Sequence, residues 1–172
     1  MNHDSYSDSY IRGILTRYRT FAMVGASANS VRPSYFAMKY LLDKGYTVIP
    51  VNPGHAGGEI LGQRVYGALH DIPVPVEVVD IFRNSEAALG ITRDAIAIGA
   101  KVVWMQLGVR NDEAARLAEE AGLEVVMNRC PKIEYGRLSG EIGWAGVNSR
   151  TLSSSRPVLS AKGIQHRVLR ED

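Results

Sequence analysis

Residues 21–54 read FAMVGASANSVRPSYFAMKYLLDKGYTVIPVNPG. The stretch opens with a short apolar run, Phe21 to Val24, closed by Gly25. It ends with a β-branched run, Thr47 to Val51, closed by Asn52-Pro53-Gly54. Between them, Pro33 stands where the first turn of a helix tolerates a residue without an N–H. Phe36, Ala37, Tyr40 and Leu41 then fall on one apolar face that ends near Gly45. Strand, loop, helix and strand in this order make one βαβ unit, the building block of a parallel sheet.

The alternation continues in both directions. Upstream, Ile11, Ile14, Leu15 and Tyr18 have helical spacing, with Ser5 or Ser7 available as a cap. Downstream, after an irregular excursion to Pro75, Glu77 to Phe82 reads as the third strand. Asn84 or Ser85 then caps a helix with Ala88, Ile91, Ala95 and Ile98 on one stripe. Lys101 to Gln106 is the fourth strand. Asn111 caps a helix that turns Ala114, Leu117, Ala118 and Ala121 inward and stops at Gly122, and Glu124 to Met127 is the fifth strand. Right-handed crossovers between parallel strands predict an α/β, doubly wound, Rossmann-like sheet of five strands in the order 3-2-1-4-5. Residues 1–138 form that domain. Residues 139–172, with six serines and Trp144 but no clear period, read as an arm laid on the body or a partly disordered tail.

Composition bounds the function. The chain has 172 residues, 45% hydrophobic and 22% charged, which is ordinary for one globular domain. A net charge of +2 does not argue for a nucleic-acid partner. No apolar run approaches the length of a membrane span, and the polar first twenty residues are not a secretory signal. A single cysteine, Cys130, excludes an internal disulfide and a Cys-based zinc cluster, and the four histidines lack metal-ligand spacing. These features point to the cytoplasm and to no metal.

In a doubly wound sheet the ligand lies outside the carboxyl ends of the strands, where strand order reverses. Gly25-Ala26-Ser27-Ala28-Asn29-Ser30 runs on through Arg32 and Ser34 into a helix N-terminus. Open N–H groups, the helix dipole and Arg32 suit that loop to a phosphate, where a plain strand-to-helix turn would not need the charge. The other strand ends supply Val51, Asn52, Pro53 and nearby His55; Phe82 and Arg83; Gln106, Leu107 and Gly108; and Asn128 with Cys130. A nicotinamide cofactor would want glycines where Ser27 and Ser30 stand, and an acid where the second strand ends in Asn52-Pro53. Neither a P-loop nor a nucleophile elbow is present. Asp80 has no companion acid after the first strand for a metal, and reads as a structural hydrogen-bond acceptor. Cys130 is either an inert buried thiol or a rim thiol whose thiolate is favoured by Arg129.

Taken together, these strand-end motifs resemble the CoA-binding domain family, small stand-alone Rossmann-like proteins similar to the N-terminal domain of the succinyl-CoA synthetase alpha subunit. The resemblance is carried in order by Val24-Gly25-Ala26-Ser27, Arg32-Pro33-Ser34-Tyr35, Val48-Ile49-Pro50-Val51-Asn52-Pro53, Ile60-Leu61-Gly62, Val79-Asp80-Ile81-Phe82-Arg83, the run Lys101 to Val109, and Asn128-Arg129-Cys130-Pro131. It implies that the Ser27 to Arg32 loop holds the pyrophosphate of coenzyme A and that the Val51 to Gly57 turn flanks the adenosine, with His55 where the synthetase domain has a basic residue. It further implies that Phe82, Arg83 and Gln106-Leu107-Gly108 line the pantetheine path, and that the Asn128 to Pro131 turn lies near the thiol, although Arg129 interrupts the synthetase's asparagine-cysteine-proline pattern. The expected function is binding of coenzyme A or an acyl-CoA without a complete catalytic apparatus. The alternatives are an NAD(P)-dependent oxidoreductase, a thiol-redox protein in which Cys130 forms a mixed disulfide with coenzyme A, and an interaction module whose tail docks a partner or a second copy to give a homodimer.

Overall fold

The computed structural model describes residues 1–141 and Leu169. Its central sheet has five strands, β1 (Thr20–Val24), β2 (Thr47–Val51), β5 (Val78–Ile81), β6 (Val102–Met105) and β7 (Glu124–Val126), all parallel and ordered β2-β1-β5-β6-β7. A two-stranded hairpin, β3 (Glu59–Ile60) with β4 (Gln63–Arg64), lies in the excursion after β2. The helices are α1 (Asp8–Arg17), α2 (Pro33–Asp43), α3 (Ala88–Ala97), α4 (Asp112–Glu120) and α5 (Pro131–Ser139). Among the described residues, no helix is long and apolar enough to cross a membrane.

The class and the double winding are as the sequence predicts. What needs correcting is which segment fills the third position. Glu77 to Phe82 becomes β5 and pairs with β1, so it does not lie beyond β2. The place beside β2 is held by a single parallel bridge between Val51 and Tyr66, with Tyr66 N–H donating to the Pro50 carbonyl and Asn52 N–H to the Tyr66 carbonyl. Counting that bridge as the third position restores 3-2-1-4-5, with β7 as a sixth. The excursion from residue 52 to 77 is therefore a crossover whose strand has shrunk to one residue. Pro50 fits because its carbonyl faces outward to Tyr66, so its missing N–H falls on the edge and not in the β1 ladder.

Both faces of the sheet are covered, so the strands are apolar almost throughout. Phe21, Met23, Val78, Val102, Trp104 and Val126 pack under α1, α2 and α5. Ala22, Val24, Val79, Ile81, Val103 and Met105 pack under α3 and α4. The alternation follows the period of two along each strand. Ser7 caps α1 through Tyr10 N–H, Asn84 accepts from Ala87 N–H ahead of α3, and Asn111 caps α4 through Ala114 N–H.

Two details depart from the periodicity. On α2 the inward residues are Ser34, Ala37, Met38 and Leu41, and Phe36 is half exposed. Helix α5 is absent from the sequence pattern because Ile133 faces out while Glu134 faces in, held by Arg137. The expected arm beyond residue 141, with Trp144, lies outside the described residues except for Leu169, which is buried with its N–H donating to the Tyr135 hydroxyl.

Candidate functional site

Successive strands run from β1 to β2 on one side and then back across to β5 on the other, so the carboxyl ends of β1 and β5 part at the top of the sheet. A crevice of about 590 Å³ opens there. Gly25 sets its floor. Its φ is +93°, and a Cβ there would stand 2.6 Å from the Phe82 carbonyl oxygen, so only glycine lets β1 leave the sheet beside β5. Gly25 N–H donates to the Val51 carbonyl and Phe82 N–H to the Val24 carbonyl, which ties three strand ends together.

The loop from Ala26 to Arg32 is shaped by its own side chains. Ser27 Oγ accepts from Asn29 N–H and Asn29 Oδ1 accepts from Val31 N–H, both at 3.1 Å. Asn52 fastens this loop to the β2 turn, with Nδ2 donating to the Ala26 carbonyl and Oδ1 accepting from Gly54 N–H, each at 2.9 Å. These short polar residues form Asx- and ST-type turns, so much of their hydrogen-bonding capacity goes into holding the backbone. Helix α2 then begins at Arg32 in extended conformation with no side-chain cap and with Pro33 in its first turn. The positive end of the helix dipole is thus left facing the crevice.

The charge of the site is one-sided. Arg32 and Arg83 line the crevice, both exposed and without an ion pair among the described residues, and no carboxylate lines it. The remaining walls are largely apolar, with Ala26, Pro33, Pro53, Phe82, Leu107 and Val109. Ser34 and Gln106 are almost fully buried yet reach the lining, and Gln106 Oε1 has no hydrogen-bond partner among the described residues. A cationic mouth over walls that mix apolar side chains with amide and hydroxyl groups suits a molecule anionic at one end and weakly polar beyond it.

A family model described as CoA binding domain matches residues 19–136. The chain belongs to the CoA-binding domain family. That membership supports a CoA-binding role. The uncharacterized protein YneT of Bacillus subtilis (strain 168) is 36% identical over 129 residues, covering 75% of this chain and 94% of YneT. Among solved structures, a hypothetical protein from Pyrococcus horikoshii OT3 is 46% identical with a TM-score of 0.76, covering 80% of this chain and 96% of that one. A dinucleotide forming acetyl-coenzyme A synthetase from Ca. Korarchaeum cryptofilum, in complex with phosphate and ADP, is 26% identical with a TM-score of 0.55. It covers 63% of this chain, which matches 25% of the synthetase.

In this CoA-binding domain the crevice gathers Gly25, Ala26, Ser27, Arg32, Ser34, Asn52, Pro53, Phe82, Arg83, Gln106 and Leu107, all expected from the sequence. Pro33 and Val109 line it as well, and their position just past a strand or loop end is the signal that would have found them. Ala28, Asn29, Ser30, His55, Gly108, Asn128 and Cys130 are not in its wall. Val51 instead faces a second, smaller cavity beside it. Asn128 acts through its backbone and its amide, with φ of +56° and Oδ1 accepting from Gly108 N–H at 2.7 Å, so it shapes the β6 turn. The His55 ring lies against Gly58.

Two expectations need correcting. Arg129 does not serve Cys130. Its guanidinium donates to the Asn128 and Asp4 carbonyls and lies 5.2 Å over the Tyr6 ring, because the N-terminal segment packs across the end of β7. Cys130 itself is buried at the start of α5. Asp80 is not a hydrogen-bond acceptor either. Neither of its carboxylate oxygens has a partner among the described residues, and it is wholly buried between Met23 of β1 and Trp104 of β6. Burial pushes its carboxyl well above the usual carboxylate range.

Proposed function

We propose that the crevice binds coenzyme A or an acyl-CoA, and that the chain is a binding module without catalytic machinery of its own. The observation that carries this reading is the uncapped start of α2 with Arg32 and Arg83 beside it, opening onto a crevice whose walls mix apolar side chains with amide and hydroxyl groups. The anionic end of the ligand meets the helix N-terminus and the two guanidiniums, and the pantetheine arm runs between Phe82, Leu107 and Gln106. Family membership supports the same ligand. A nicotinamide cofactor is poorly served, because Asn52 stands where a ribose-reading acid would be and its amide is already engaged. A reducing compartment suits a free coenzyme A thiol and a lone cysteine, and a cytoplasmic location is part of this proposal.

The test begins with mass spectrometry of small molecules released from freshly purified protein, followed by calorimetric titration of stripped protein with coenzyme A, acetyl-CoA and NADPH. Binding of coenzyme A or its thioester, weakened about tenfold or more by Arg32→Ala through loss of a charge-assisted contact, is the expected result. Binding of NADPH with no response to either CoA species overturns the reading.

A further inference from the structure

Two polar side chains are sealed in the interior without a partner, on the same face of neighbouring strands. Asp80 of β5 is wholly buried, and neither carboxyl oxygen has a hydrogen-bond partner among the described residues. It pairs in register with Met23 of β1 and Trp104 of β6, and both belong to the core under α1, α2 and α5. Gln106 lies two residues beyond Trp104, and its N–H donates to the Ile81 carbonyl at 3.1 Å, so the ladder between β5 and β6 runs on through it. Because side chains alternate along a strand, Gln106 stands on the same face as Trp104 and Asp80, one pleat nearer the crevice. Spacings of about 5 Å between strands and about 7 Å between alternate residues put the two Cβ atoms about 8 Å apart, which a carboxyl, a carboxamide and one hydrogen bond can span. Gln106 lines the crevice, yet its Oε1 is buried and unpartnered, whereas its amide nitrogen is not enclosed in this way.

We propose that Asp80 is a positioning residue for the crevice: when ligand is bound its O–H donates to Gln106 Oε1, which fixes the carboxamide with its NH2 group turned to the ligand. The inference rests on the coenzyme A reading and deepens it, because it says which end of Gln106 the pantetheine arm meets. Burial, with no opposing charge, holds the Asp80 carboxyl in its protonated form, so it has an O–H to give. Gln106 Oε1, one pleat away, is an acceptor that lacks a donor. Leaving both groups unpaired is costly, and a turn of the two side chains joins them. Without that bond the carboxamide can turn over and offer the ligand an acceptor as readily as a donor. With it, Gln106 presents N–H groups, which suit an amide or thioester carbonyl of the arm and reject an N–H. A contact side chain locked from behind holds its geometry better than a loose one. Asp80 touches no ligand and acts through Gln106.

The experiment titrates stripped wild type, Asp80→Leu, Asp80→Asn, Gln106→Leu and the double variant of Asp80→Leu with Gln106→Leu. The ligands are coenzyme A and adenosine 3′,5′-bisphosphate, which has phosphates but no pantetheine arm. Asp80→Leu should weaken coenzyme A about tenfold, the worth of one buried hydrogen bond, and leave the bisphosphate unchanged, a result that also shows the variant is folded. Asp80→Asn keeps an N–H donor at the same place and should bind coenzyme A as wild type does. Because the two side chains act as one, the double variant should lose no more than Gln106→Leu alone. Full coenzyme A affinity in Asp80→Leu, an equal loss in Asp80→Asn, or losses that add in the double variant overturns the pairing and leaves the crevice reading standing. Equal weakening of both ligands by Asp80→Leu makes Asp80 a packing residue and also overturns the pairing. Wild type that binds neither ligand overturns the crevice reading, and this inference falls with it.

Discussion

At the scale of single residues, Gly25 and Asp80 show what a sequence does and does not disclose. Gly25 is readable: a glycine closing an apolar run before a helix marks a sharp exit from a strand, and the Phe82 carbonyl at 2.6 Å from a notional Cβ is the reason. Gly25→Ala combines positive φ with a collision against backbone, so it should cost more than about 1 kcal/mol in urea denaturation and weaken coenzyme A binding in parallel. Asp80 is not readable in this way, because the sequence places an acid in a strand but cannot say that no donor reaches it. Its native pKa lies above the unfolded value, so the folded state holds its proton while the unfolded chain loses its own. The native state therefore loses stability as pH rises from about 4 towards the native pKa, by about 1.4 kcal/mol for each unit of separation, and loses no more above it. Asp80→Asn removes this dependence. Urea melts at pH 4 and pH 7 should show the variant gaining on wild type at the higher pH, and an equal gap at both values would mean that Asp80 is not held protonated.

At the scale of elements, the helices and strands are largely readable from apolar spacing and caps, whereas the devices that protect the sheet's edges are not. Strand β7 is an edge strand. The Tyr10 hydroxyl donates to the Val125 carbonyl and accepts from Val125 N–H, and the Tyr6 hydroxyl accepts from Met127 N–H. Burial pushes the Tyr10 hydroxyl up to about 12, so it remains a donor at ordinary pH. Tyrosines on an N-terminal segment thus occupy the edge groups that would otherwise pair with another chain, a contact across 115 residues that local sequence cannot signal. Tyr10→Phe should cost about 1–2 kcal/mol and speed amide exchange at Val125. Helix α2 offers the opposite case, an N-terminus without a side-chain cap, open to the anion that the proposed function would bring there. Arg32 already has the extended backbone of a cap residue. Arg32→Asp should stabilise the protein by about 1 kcal/mol while weakening coenzyme A binding more than tenfold, since the new carboxylate takes the N–H groups and repels the anion. Loss of both stability and affinity would argue that Arg32 shapes the loop and does not meet the ligand.

For the whole molecule, the place of the site follows from winding alone: strands that depart in two directions from β1 leave a crevice at their carboxyl ends, whatever the loops contain. That is why the sequence motifs converge on the crevice, and why the one topological surprise, the bridge at Tyr66 standing for a strand, leaves the site in place. The α3 wall of the smaller cavity beside the crevice was not readable, because Ile91 and Asp94 meet Val24 and Val51 only after the crossover returns. A ligand gripping the ends of β1, β2, β5 and β6 binds the folded state and has no counterpart in the unfolded chain. At one hundred times its dissociation constant, coenzyme A should add about 2.7 kcal/mol. For a chain of this size that raises the melting temperature by roughly 5–10 °C. Because Arg32 and Arg83 are exposed at the mouth, their attraction for phosphate is screened by salt. The shift at fixed ligand should therefore shrink between low and high ionic strength for coenzyme A and much less for uncharged pantetheine. A shift of equal size at both ionic strengths would place the binding energy in the uncharged walls of the crevice and take the anion cradle out of the mechanism.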